Sequence, residues 1–132
     1  MPDGQAKMDF RAAALTAGRY DLLVDEYLYP LTVYLPGRPP TVATPDTVWG
    51  FFQAFHAAMV ALGMSVLTAR VVAEGLPQGG RAQTWTDWFG EGPGVARRQV
   101  AQTVCYRRVD RAETRTELLE FTRLDLPIMA AA

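Results

Sequence analysis

"VYLPGRPPTVATPDTVWGFF" runs from Val33 to Phe52 and changes character twice. Its first residues continue "LTVYL" (31–35), which is β-branched and aromatic and therefore strand-like. "PGRPP" then has to turn, because proline fixes its backbone and glycine frees its own. "TPDTVWGFF" starts a helix. Thr44 is the candidate N-cap, Pro45 suits the first helical position, and Asp46 complements the helix dipole. Val48, Phe51, Phe52, Phe55, Met59 and Leu62 follow at i, i+3, i+4, i+7, i+11 and i+14, a single apolar stripe. The helix is expected over 45–62, with Gly63 as its stop.

On the N-terminal side, residues 1–7 read as a loose, flexible terminus. "MDFRAAALT" (8–16) favours helix, and Gly18 interrupts it. "RYDLLVDEYL" (19–28) resumes with Leu23, Val24, Tyr27 and Leu28 at helical spacing, so a second helix is expected to end before Pro30. Beyond Gly63 the period becomes that of strands. "MSVLTARVVAEGL" (64–76), "RAQTWTDWF" (81–89), "ARRQVAQTVCYRRV" (96–109) and "TRTELLEFTRLDL" (114–126) are joined by short connectors, which predicts an antiparallel meander. In the second of these strands Gln83, Trp85, Asp87 and Phe89 share one face, and Ala82, Thr84, Thr86 and Trp88 share the other. In the third, Val100, Val104 and Tyr106 alternate with Ala101, Thr103 and Cys105. Both faces carry apolar groups. Helices of so short a chain cover only one of them, so the other predicts a partner such as a second copy.

Composition sets further bounds. The chain has 132 residues and a net charge of −1, which fits one domain with no general attraction to nucleic acid or anionic membrane. Twelve arginines stand against one lysine, Lys7, with no asparagine and a single serine, a pattern that fits the codon bias of a GC-rich bacterial genome. Arg97, Arg98, Arg107, Arg108 and Arg111 have acidic neighbours, so ion pairing explains them more economically than a phosphate site. Cys105 is the only cysteine, which excludes an intrachain disulfide and suggests a reducing, cytoplasmic setting. The N-terminus lacks the apolar core of a signal peptide, and no apolar run is long enough to span a bilayer. One histidine and one cysteine, far apart, match no zinc spacing, so neither a metal nor a cofactor is expected.

The order of helices, short strand, long helix and meander, with "DEYLYPLTVYLPGRPPTVATPDTVWGFFQAFHAAM", resembles the nuclear-transport-factor-2-like superfamily. That is the cone-shaped α+β fold of the ketosteroid isomerases, limonene-epoxide hydrolases and SnoaL-like cyclases. The resemblance runs from about Met8 to Leu126, giving a single domain over 8–126 and a tail over 127–132. It implies a pocket between the helices and the inner sheet face, and homodimers through the outer face. Tyr20, Tyr27, Phe52, His56, Trp85 and Tyr106 are the pocket candidates it suggests. The isomerases carry a carboxylate base on the short strand just before a proline, where this chain has Leu35. No Asp or Glu lies between Glu26 and Asp46, which argues against isomerase chemistry. Asp87, Glu120 and His56 are the remaining acid/base candidates for a cyclase or hydrolase. The leading expectation is a domain that binds a small apolar or aromatic molecule with no assigned catalysis. A SnoaL-like enzyme and a protein-interaction module are the alternatives.

Overall fold

The structure, a computed structural model, describes residues 4–109 and 113–128. Expectations for residues 1–3, for Arg111 and for the end of the tail (129–132) lie outside the described residues. Three helices, α1 (Gly4–Thr16), α2 (Tyr20–Val24) and α3 (Pro45–Ala61), pack on one six-stranded sheet. The strands are β1 (Tyr27–Tyr34), β2 (Thr41–Ala43), β3 (Val66–Gln78), β4 (Arg81–Gly92), β5 (Val95–Arg108) and β6 (Thr116–Leu124). Their spatial order is β2-β1-β6-β5-β4-β3. The fold is α+β, as the alternation of periods predicts.

The quoted stretch forms a hairpin and then a helix. Leu31, Thr32 and Val33 pair antiparallel with Ala43, Val42 and Thr41, so the residues after the turn make a short second strand that the sequence reading missed. Thr44 has extended backbone and its side chain accepts from the Thr47 N–H at 3.3 Å. This cap and Pro45 set the start of α3. Val48, Phe52, Phe55 and Met59 of the stripe are buried, each contributing roughly 1.5–3 kcal/mol of apolar transfer. Gly63 ends the helix at φ +78°, a conformation that disfavours any other residue.

The second helix is shorter than its spacing suggests. α2 stops at Val24, and Tyr27 and Leu28 belong to β1. Tyr27 pairs with Thr116 of β6, and the Thr116 N–H bonds to the Glu26 carbonyl at 3.0 Å. Parallel pairing with a distant strand thus overrides a local helical pattern. Pro30 interrupts the β1–β6 register between Tyr27 and Thr32, which is how the strand accommodates a residue with no N–H.

The meander forms as expected, with β3, β4, β5 and β6 antiparallel in turn. Gly79 and Gly80 make the β3–β4 turn, both at positive φ. Ala82, Thr84, Thr86 and Trp88 are all buried beneath the helices. The alternation on β5 is broken once. Trp88 pairs with Ala101 and Phe89 with Gln99, so Val100 is the extra residue of a bulge. Val100 is fully buried in the core, whereas Val104 and Tyr106 share the outer face. The sequence reading had grouped all three on one face.

Candidate functional site

α1 has Met8, Arg11, Ala12 and Leu15 on one face, and all four are buried. Arg11 therefore occupies a core position. It is 2% exposed, and its burial is compensated by fixed partners. Nε donates to Glu26 Oε1 at 3.1 Å. Nη2 donates to Thr116 Oγ1 at 2.8 Å and more weakly to the Glu26 carbonyl at 3.5 Å. Nη1 has only the Cys105 sulfur, at 3.5 Å. The guanidinium also lies over the Tyr27 ring, 4.8 Å from its centroid. Burial alone lowers the pKa of Arg11, but Tyr27, Cys105 and Glu26 raise it further, so it stays charged. A buried cation paired in this way fixes α1 to β1, β5 and β6 at once.

Arg11 lies at the edge of a cavity of about 30 Å³ between the helices and the inner sheet face. Leu15, Leu23, Phe52 and Phe55 line it from the helices, and Leu67, Trp88, Leu119 and Phe121 from the sheet. Tyr27, Thr103 and Cys105 complete the wall. Thr103 accepts from Trp88 Nε1 at 2.8 Å, which satisfies the indole. Tyr27 stacks on Phe52, and burial pushes its phenol pKa well up despite the opposing pull of Arg11. The volume is about one water's share of the liquid. The lining holds neither carboxylate nor imidazole. The arrangement can enclose an apolar group, with the Cys105 thiol, the Tyr27 phenol and the Arg11 guanidinium as polar parts of its wall.

The eight sequence candidates divide into three places. Tyr27 and Phe52 line the cavity. Tyr20 and His56 meet each other elsewhere, on the helical side of the molecule. The Tyr20 hydroxyl is 2.6 Å from His56 Nδ1, with the Trp49 ring edge-on to Tyr20. Trp85, Asp87, Tyr106 and Glu120 occupy the outer sheet face, because alternation turns them away from the residues that line the cavity. Asp87 Oδ1 accepts from Gln99 at 3.0 Å and Gln102 at 2.8 Å, and Arg70 lies 3.8 Å from Oδ2. The Tyr106 hydroxyl donates to Glu120 Oε1 at 3.3 Å. Asp87, Glu120 and His56 are thus not brought together, and none faces the cavity. Arg11 is the residue sequence reasoning missed. The available signal was a charge at a core position of an apolar helical stripe. Among the described residues, no cluster of three or more His, Cys, Asp or Glu side chains is placed to hold a metal ion. No helix among them is long and apolar enough to cross a membrane.

No family model matches the sequence, and no curated protein matches it. Solved structures match its fold. One is an NTF2-like protein of unknown function from Shewanella oneidensis, at 11% identity and a TM-score of 0.66, over 92% of this chain and 98% of that one. Another is a domain of unknown function with a cystatin-like fold from Nostoc punctiforme, at 16% identity and a TM-score of 0.66, covering 92% and 76% of the two chains. A third is an NTF2-like protein with a cystatin-like fold from Novosphingobium aromaticivorans, at 12% identity and a TM-score of 0.64, covering 92% and 79%. The chain has the cystatin-like fold of the NTF2-like proteins. Likeness at such identities carries the fold and not the activity.

Proposed function

We propose that this chain is a non-catalytic, small-molecule-binding domain that encloses an apolar group between α3 and the inner sheet face. The observation that carries this reading is the cavity itself. It is walled mainly by aliphatic and aromatic side chains, with Tyr27 and Phe52 among them, and its lining holds no carboxylate or imidazole. A ligand larger than water enters by displacing the aromatic side chains of α3. Phe51 leans on Phe121 at 5.3 Å and Phe52 on Tyr27 at 6.0 Å, so those contacts open first. Titration with toluene, followed by methyl resonances, tests the idea. Saturable shifts confined to Leu15, Leu67 and Leu119 are expected. Shifts that do not saturate, or that scatter over the surface, defeat it.

The smallness of the cavity favours a second reading, in which the outer sheet face mediates association. Trp85, Phe89 and Tyr106 are half-buried there, and Tyr34 is exposed. Arg97 lies over the Phe89 ring at 4.0 Å, with Asp87 and Glu120 nearby on the same face. A face with both charge signs around aromatic groups suits a second copy of itself. Light scattering on the native chain is expected to give twice the mass of one chain, and Trp85→Arg to halve it. A native monomer sinks this reading. The buried lone thiol and the arginine-rich composition support a cytoplasmic bacterial protein.

A further inference from the structure

A second cavity of about 30 Å³ adjoins the first, beneath the opening turns of α1. Its chemistry is different. Lys7, Arg107, Thr84 and Thr116 line it, with Glu74 as the one carboxylate. The partition between the cavities is one side chain thick. Cys105 lines both, and Arg11, which lines the first, donates to Thr116, which lines the second.

The polar cavity has donors in surplus. Arg107 is half-buried on the inner face and has no carboxylate partner among the described residues. Thr84 is 9% exposed, and its hydroxyl has no hydrogen-bond partner among them. Thr116 accepts from Arg11, which leaves its own O–H to donate. Lys7 shares Glu26 with Arg11, at 3.5 Å. Glu74 lies against Gly4 at the start of α1, where the helix dipole favours a negative charge. Lys7 thus keeps Glu26, and Arg107 shares the cavity only with Glu74, which is already drawn to the helix end. A guanidinium flanked by hydroxyls matches a carboxylate in shape and charge.

We infer that the ligand is an amphipathic monocarboxylate, its acid group held by Arg107, Lys7 and Thr84 and its apolar part in the adjoining cavity. This rests on the small-molecule reading above and assigns its ligand class.

The test is a resonance titration of the full chain with hexanoate, 1-hexanol and acetate. Hexanoate is expected to bind at least about tenfold more tightly than either of the others, the worth of one charge-assisted hydrogen bond. Arg107→Gln is expected to abolish that preference and leave 1-hexanol unaffected. Lys7→Gln provides the same comparison from α1 should Arg107→Gln fold poorly. Equal binding of hexanoate and 1-hexanol overturns the inference while leaving the apolar-cavity reading intact. Acetate binding as tightly as hexanoate overturns it in favour of an isolated anion site. Binding of none of the three, with no response to toluene, overturns both readings.

Discussion

The two faces of β4, β5 and β6 are built from alternate residues of the same strands, yet they differ in what holds them. Inside, the two largest polar groups have particular partners, Trp88 with Thr103 and Arg11 with Glu26 and Thr116, while the Thr86 hydroxyl is buried without one among the described residues. Outside, Asp87 has two glutamines and a loose arginine, and Glu120 has a tyrosine hydroxyl at 3.3 Å. The carboxylates that a chemist would first nominate are on the outside, Asp87 buried among its partners and Glu120 half-buried. The deeply buried charge on the inner side is the guanidinium of Arg11. The difference teaches that acidic residues in a strand identify a catalytic site only once their face is known.

The inner face should break most easily. Arg11→Met leaves Thr116 without its donor and Glu26 with Lys7 alone, and is expected to cost about 3–5 kcal/mol in urea unfolding. A loss below about 1 kcal/mol would show that the buried network is dispensable. Trp88→Phe removes the indole N–H from Thr103 and should cost about 1–3 kcal/mol by the same measurement. Alkali sharpens the comparison differently. Burial raises the phenols of both Tyr27, inside, and Tyr106, outside, and it pushes Tyr29 up to about 12. A raised phenol keeps its proton in the folded state after the unfolded chain has lost it. Stability is therefore fully present below about pH 10 and falls as pH rises from there toward the folded values. Tyrosinate absorbance should show Tyr27 ionising last of the tyrosines, and Tyr27→Phe should remove the latest step. The outer face gives the smallest effect. Glu120→Gln should alter stability by no more than about 0.5 kcal/mol.

Much of this architecture was legible before the structure. The cap and stripe of α3 and the glycine turn of the β3–β4 hairpin each follow from local chemistry. The β4 faces were legible because alternation runs unbroken from Ala82 to Trp88. β5 was less so, because the bulge at Val100 depends on its pairing with β4 and leaves no mark in the spacing. Tyr27 and Leu28 misled for a related reason: their distances from Leu23 and Val24 fit a helix, and only Thr116 draws Tyr27 into a strand. Of the site, Tyr27 and Phe52 were named from the resemblance, and both line the cavity. Arg11 was hidden because a charge on a helix ordinarily faces water, and its partners Thr116 and Cys105 are remote in sequence.

The pairing of β1 with β6 has a consequence for how the chain is made. β1 emerges early in synthesis, but its parallel neighbour comes from the last strand, and only the short hairpin with β2 supports it meanwhile. Until residues 116–124 leave the ribosome, one edge of β1 is open and Arg11 lacks Thr116. Such long-range closure delays cooperative folding of the domain until β6 is made and leaves an adhesive strand edge in the interval. A nascent chain held with residues 116–124 still inside the ribosome should therefore be sensitive to protease and bind chaperones, and one extended by a linker until those residues have emerged should not.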